Sequence, residues 1–310
     1  NITSGITINR VEVWVTNKTG QTNDTRNIAA FTDLGEHDRI SSPLWVPGAD
    51  TNPSNQSNDL YTSLVNTLPG ARAISTVTPT LDGVGLVGGS DYEKLESARR
   101  LSSSEYVLNS ALGFISLKQT LQTDQVLAIA YEYTYKGVTY QVGEFSTDRK
   151  DNTEVLFVKA LKNTACVPGM GNWDLMMKNV YALGATQVQK DKFRLDVKFL
   201  SDTTGVYLSY IPEPAVKDKK IIQLLGADRL DNQNKVGANG YFDYVEGYTV
   251  LSQSGRVFFP VVEPFGKGLA QALGSEELAK KYAFQELYDS TRTVARQVAE
   301  KNKFMLTGEY

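Results

Sequence analysis

Val126-Leu-Ala-Ile-Ala-Tyr-Glu-Tyr-Thr-Tyr-Lys-Gly137-Val-Thr-Tyr-Gln-Val-Gly-Glu-Phe145 is the stretch that decides the fold class. Side chains of a strand alternate between two faces, so Leu127, Ile129, Tyr131, Tyr133 and Tyr135 share one face and Ala128, Ala130, Glu132 and Thr134 the other. Lys136-Gly137 supplies the two-residue turn of a β-hairpin. A transmembrane barrel hairpin alternates in the same way, but the helical patterns, charges and long loops on both sides favour a soluble sheet.

Upstream, Ile6-Thr-Ile-Asn-Arg-Val-Glu-Val-Trp-Val-Thr16 also alternates, but its apolar set changes parity between Ile8 and Val11, which predicts a bulge near Asn9 and Arg10. Residues 17–27 and 47–59 read as polar surface loops. Tyr92, Leu95, Ala98 and Leu101 recur at helical spacing behind Ser90 and Asp91, so a short helix is expected there.

Downstream, Asn172 stands before Trp173, Met176, Met177, Val180, Tyr181 and Leu183, with Gly184 beyond, the pattern of a capped helix. Phe193, Leu195, Val197 and Phe199 alternate with Arg194, Asp196 and Lys198, and Asp202-Thr-Thr-Gly205 turns into residues 206–211, giving a second hairpin with one wet face. A short helix over 218–225, a loop over 231–240, strands over 241–250 and 256–262, and helical runs over 275–288 and 291–303 complete the reading. Residues 106–117 and 248–259 echo each other as strand, polar turn, glycine, strand. Without a regular βα rhythm the class is α+β, predominantly antiparallel. A β-rich part over 1–150 with one short helix precedes an α+β part over 151–310 with C-terminal helices.

Lys plus Arg is 32 against 35 for Asp plus Glu, so the chain lacks the basic surplus that phosphate backbones reward, and nucleic acid is not expected as a partner. A single histidine, His37, and a single cysteine, Cys166, far apart in sequence, leave little for a catalytic triad, a Cys-His pair or a zinc site. The apolar runs are far shorter than the roughly 18 to 20 residues of a membrane helix. The chain starts at Asn1 without methionine or a leader pattern, as expected of a processed protein or a piece of a longer one.

Several motifs invite chemistry, and each has a plainer reading. Gly83-Val-Gly85-Leu-Val-Gly88 matches a dinucleotide cradle, although Pro79 interrupts its approach and no second parallel strand is expected, so a glycine-rich turn is preferred. Asp231-Asn-Gln-Asn-Lys235 resembles a calcium loop with Lys235 at a ligand position. Asp243, Glu246 and Glu263 could form a glycosidase carboxylate pair, and Trp14, Trp45 and Trp173 could stack sugars, but turn and core roles are preferred. Lys217-Asp-Lys-Lys220 and Arg292, Arg296, Lys301 and Lys303 read as solvated faces. Asn-x-Ser/Thr triplets at Asn1, Asn17, Asn23 and Asn55 read as chance in loops rich in these residues. No catalytic, cofactor-binding or metal-ligating residue is assigned.

Longer phrases carry a more specific resemblance: Arg10-Val-Glu-Val-Trp-Val-Thr-Asn17, Asn27-Ile-Ala-Ala-Phe-Thr-Asp-Leu-Gly-Glu36, Tyr140-Gln-Val-Gly-Glu-Phe145, Trp173-Asp-Leu-Met-Met-Lys-Asn179, Phe193-Arg-Leu-Asp-Val197, Gly255-Arg-Val-Phe-Phe-Pro-Val-Val-Glu-Pro-Phe-Gly266 and Phe284-Gln-Glu-Leu-Tyr-Asp-Ser-Thr291. With residues 126–135 and 299–304, they resemble the SprA/Sov family of Bacteroidota, the gliding-motility and type IX secretion outer-membrane translocon. The resemblance runs from about residue 8 to Tyr310 and is weakest over residues 51–58.

It implies a soluble segment inserted in, or flanking, a very large outer-membrane β-barrel, on either side of that membrane. The role would be non-enzymatic, shaping or capping the pore or docking a PorV-like shuttle, a plug protein and secreted cargo, with no catalytic residues or cofactors to carry over. Two readings compete: a surface adhesin or carbohydrate-binding module, suggested by the tyrosines and the Asn/Thr loops, and a glycan-active enzyme built on Asp243 or Glu263.

Overall fold

The decisive hairpin folds as read: β6 (Leu127–Tyr135) and β7 (Val138–Val142) pair antiparallel around Lys136 and Gly137, both with positive φ. This computed structural model describes residues 5–149 and 151–310, which divide into two compact units between Met176 and Met177. The units do not divide at 150/151, because β8 (Leu156–Lys162) pairs with strands of the first unit.

In the first unit β1 (Ile6–Val15) pairs antiparallel with β6 and with β3 (Tyr92–Arg100); β3 pairs with β2 (Thr25–Phe31), β2 runs parallel to β8, and β8 returns to β6. The pairings close into a ring of five strands, with β7 added outside β6. One face of each strand therefore points into a narrow bore. Trp14, Ile28, Ala30, Leu95, Ala98, Ala128, Ala130, Leu156, Val158 and Ala160 pack together there, and half of them are alanine because a small ring must mix small side chains with large ones to close.

The outer faces are covered separately. Phe31, Tyr92 and Phe157 pack beneath α1 (Leu60–Asn66) and α2 (Val77–Gly83), through Leu60, Leu64, Val77 and Leu81. Val13, Val15, Leu127 and Ile129 pack beneath the hairpin of β4 (Tyr106–Asn109) and β5 (Phe114–Leu117). Both faces of β6 are thus buried over Leu127–Ala130.

The expected bulge lies where the parity changed, with the β1–β6 register shifting between Ile8 and Arg10. The expected helix over 91–101 is instead β3. Glu96 and Ser97, the latter at φ +50°, together oppose Asn27, so this bulge brings Leu95 and Ala98 onto the same inward face. A strand bulge here imitates the i, i+3 spacing of a helix.

The second unit is built around β10 (Arg194–Leu200), which pairs with β11 (Tyr207–Leu208) across the expected turn and with β14 (Phe304–Glu309), a C-terminal strand that the sequence reading did not include. Leu195, Val197 and Phe199 enter a core with Phe242, Val257, Phe259, Phe265 and Leu269. The expected helix after Asn172 shrinks to a 3-10 turn, Trp173–Leu175; Met176 is extended, and β9 (Val180–Ala182) pairs with β13 (Arg256–Phe258). Sheet pairing prevails because Met176 and Met177, both 40% exposed, have no apolar surface to bury a helix against.

Of the strands expected over 241–250 and 256–262, only β12 (Val250–Leu251) and β13 form, since Thr249 Oγ1 binds Val245 N and Asp243 O and folds the preceding stretch into turns. The two echoing segments fold alike, as β4–β5 and β12–β13. The helix expected over 218–225 is α3 (Ile221–Leu224). The run expected over 275–288 is broken into α5 (Glu276–Tyr282, capped by Ser275) and α6 (Glu286–Asp289), the run expected over 291–303 shortens to α7 (Arg292–Gln297), and a helix that the sequence reading did not include, α4 (Leu269–Leu273), precedes them.

Phe145, just past β7, belongs to the bore cluster and is 1% exposed. Gly143 lets the chain enter, since a Cβ there would lie 3.2 Å from Ala130 Cβ and from Val158 Cα at a φ of +76°. Phe145→Ala is therefore expected to destabilise the first unit by about 3 to 5 kcal/mol in urea unfolding, the cost of an aromatic cavity in a packed core.

Candidate functional site

Residues 143–149 and 151–155, between β7 and β8, lie over one end of the ring and are held there by charge. Phe145 turns into the bore while Glu144 turns the opposite way, into a buried cluster. Its carboxylate accepts from both terminal nitrogens of Arg72 at 2.6 Å, from Arg149 at 2.7 Å, from Tyr61 Oη at 2.9 Å and from the Phe157 amide at 2.9 Å. Arg72, from the 3-10 turn Pro69–Arg72, stacks 3.7 Å above Phe157 and donates to Val155 O.

Burial alone would push the Glu144 carboxyl up, but the hydrogen bonds and charge of Arg72, helped by the Phe157 amide and Arg149, hold it below the ordinary carboxylate value. Burial and the Glu144 charge push the Tyr61 phenol up.

The inward positions at this end of the ring carry the remaining ties. Glu12, next inward after Trp14 on β1, accepts from Ser146 N at 2.9 Å and Ser146 Oγ at 2.7 Å, and pairs with Arg100 at 3.3 Å. Arg26 on β2 donates to Ser146 O, Asp151 O and Asn152 Oδ1. Arg10 binds Asp148 and lies 3.9 Å from the centre of the Phe145 ring. Strands β1, β2 and β3 thus each lend an arginine to the connection. A second buried group lies past the end of β2, beside β8: Lys159, within β8, binds Thr32 O and Glu36, Asp33 accepts from Ser41 N and Ser42 N, and Asn58 bridges Asp33 O and Glu36 O.

Glu144 is a poor candidate for proton transfer. A catalytic base needs a free lone pair and a pKa near the working pH, whereas Glu144 is saturated with donors and held low. The geometry suits a rigid closure. Sequence reading did not single out Glu144, Arg26, Arg72 or Lys159; the available signal was charge at inward parity in strands, as at Glu12 beside Trp14, which demands a buried partner.

The motifs noted in the sequence are dispersed. Gly83 ends helix α2 and Gly88 bridges to Tyr92 at the start of β3, so the order is helix, turn, strand, and the strand–turn–helix order of a dinucleotide cradle is absent. Asp243 accepts from the amides of Arg229 and Leu230, Glu246 from Ser252 and Tyr244, and Glu263 from Lys178 and Gln285. Burial raises the Asp243 carboxyl against its two amide donors. Asp231 caps its own loop at Gln233 N and Lys235 N.

Among the described residues no group of three or more His, Cys, Asp or Glu could hold a metal ion. Trp14 is buried in the bore, Trp45 packs beside the α1–α2 cover, and Trp173 lies in its 3-10 turn. His37 binds the adjacent Asp38, and burial pushes the Cys166 thiol up. The amides of Asn17 and Asn55 are engaged with Gln21 and Gly143, Asn23 is exposed, and Asn1 lies outside the described residues.

Glu144→Gln should cost about 3 kcal/mol, because it leaves the largely buried Arg72, and the partly exposed Arg149, without their anion. Because Glu144 is held below its ordinary value, its contribution is complete above the unfolded carboxylate pKa of about 4.3 and fades as pH falls through the lower folded value. Urea unfolding at neutral pH and under acid conditions should show the gap between wild type and variant closing only in acid. Against known proteins, no family model and no curated sequence matches this chain.

Proposed function

We propose that this chain is a non-catalytic segment of a type IX secretion outer-membrane translocon, a rigid scaffold that shapes or caps the pore and docks the shuttle, plug or cargo proteins. The observation that carries the reading is the use made of the acidic groups. Glu12, Asp33, Glu144, Asp243 and Glu263 all hold backbone amides or neighbouring side chains in place. The sequence phrases that resemble the translocon family fall on that same framework: β1, β2 with its Asp33–Glu36 exit, the β6–β7 hairpin through Phe145, β10, and β13 through Phe265.

No helix among the described residues is long and apolar enough to cross a membrane. Residence at the outer membrane therefore belongs to the proposal and would come from the rest of a longer chain.

The test is photo-crosslinking in a gliding member of the Bacteroidota, with a photoreactive residue placed at exposed positions such as Val107 and Val206 of the chromosomal protein. Adducts with secretion components, recovered from the outer-membrane fraction, are expected. A protein found free of that fraction, or a purified chain that binds defined sugars on a glycan array, would replace this reading with the carbohydrate-binding one.

A further inference from the structure

The second unit holds a block of cations that the fold leaves unpaired. Nine Lys and Arg residues fall between Lys190 and Lys235, and none has a carboxylate within 4.0 Å, whereas Lys178, Lys267, Lys280, Lys281, Lys301 and Lys303 are each held by one. Three of the nine converge. Arg194 and Lys198 stand on the wet face of β10, opposite its core residues Leu195, Val197 and Phe199. Lys220 reaches Gly240 O at 2.7 Å and lies 5.2 Å from the centre of the Tyr241 ring; Arg194 lies 5.6 Å from that same ring.

Register fixes what else shares this face. Tyr207, 45% exposed, lies opposite Leu200, and Met305, 37% exposed, lies opposite Lys198. Two acids are present, Asp196 between the cations and Glu309 opposite Arg194, and neither forms a salt bridge with Arg194 or Lys198.

We propose that this sheet face binds an extended acidic polypeptide in which carboxylates recur every fourth residue, with an apolar or β-branched side chain between them on the same face. Charge complementarity selects the acid: unpaired guanidinium and ammonium groups beside an exposed tyrosine make a surface that anionic side chains satisfy. The interleaving selects the polypeptide. Asp196 and Glu309 would repel a continuous run of phosphates, whereas a strand-like peptide sets side chains of one face roughly 6.7 Å apart, so carboxylates four residues apart can meet Arg194 and Lys198 while the side chain between them spares Asp196 and further apolar groups meet Leu200, Tyr207 and Met305. The inference rests on the chemistry of the sheet and does not depend on where the chain resides.

The test uses the intact chain and a fluorescein-labelled peptide with Glu at every fourth residue and Val or Thr at the others, followed by anisotropy. Binding that weakens with added salt is expected, with loss of about tenfold or more in affinity for Arg194→Glu/Lys198→Glu. Arg292→Glu/Arg296→Glu changes the net charge equally on helix α7 and should leave binding intact. Arg194→Gln/Lys198→Gln serves if the reversal variant loses its circular dichroism signature. Equal binding of the Gln-for-Glu peptide, equal loss in both double variants, no binding at all, or tighter binding to anionic phospholipid vesicles or an acidic polysaccharide would each overturn the proposal.

Discussion

Closing a ring of only five strands constrains everything inside it. Space in the bore is short, which is why Ala30, Ala98, Ala128, Ala130 and Ala160 alternate there with Ile28, Leu95, Leu156 and Val158, while Trp14 and Phe145 supply the large rings. At one end of the bore the inward positions of three strands carry charge, at Glu12, Arg26 and Arg100. The chain closes that end with Phe145, and the residues that follow it are tied down by the same charged groups.

A buried ionic closure is a costly choice for stability. Replacing such a network by apolar residues is often neutral or favourable, while breaking one member of it is severe. What the network supplies is uniqueness. Glu144 can reach Arg72, Arg149, Tyr61 and the Phe157 amide together only when β7, β8 and the 3-10 turn at Pro69–Arg72 occupy their final places. The cluster therefore acts as a check on register in a ring whose alanine-rich strands offer little side-chain shape with which to specify it.

Much of this architecture was legible in sequence, and the misses share one cause. The two hairpins, the bulge at Asn9–Arg10, the Ser275 cap and the antiparallel character follow from period-two alternation and local turn chemistry. Ring closure and strand β14 depend on partners distant in sequence, which alternation does not name. At β3 the bulge at Glu96–Ser97 converted a strand into a helical pattern, and after Asn172 an apolar periodicity had no surface to bury against. The closure itself was hidden in the same way: Glu144 and Arg72 lie far apart in sequence, and no short-range spacing connects them.

The two units spend their charges differently, and this difference separates scaffold from surface. The first carries 14 basic against 19 acidic residues, and most of its described arginines are consumed in ties to its own carboxylates and carbonyls. The second carries 18 basic against 16 acidic residues, yet its acids at Asp228, Asp231 and Asp243 are committed to backbone amides, and none of its nine cations between Lys190 and Lys235 forms a salt bridge. The unpaired cations of β10 and its neighbours follow from that allocation, and a face whose charge is unanswered from within is the one where an external partner gains most from answering it.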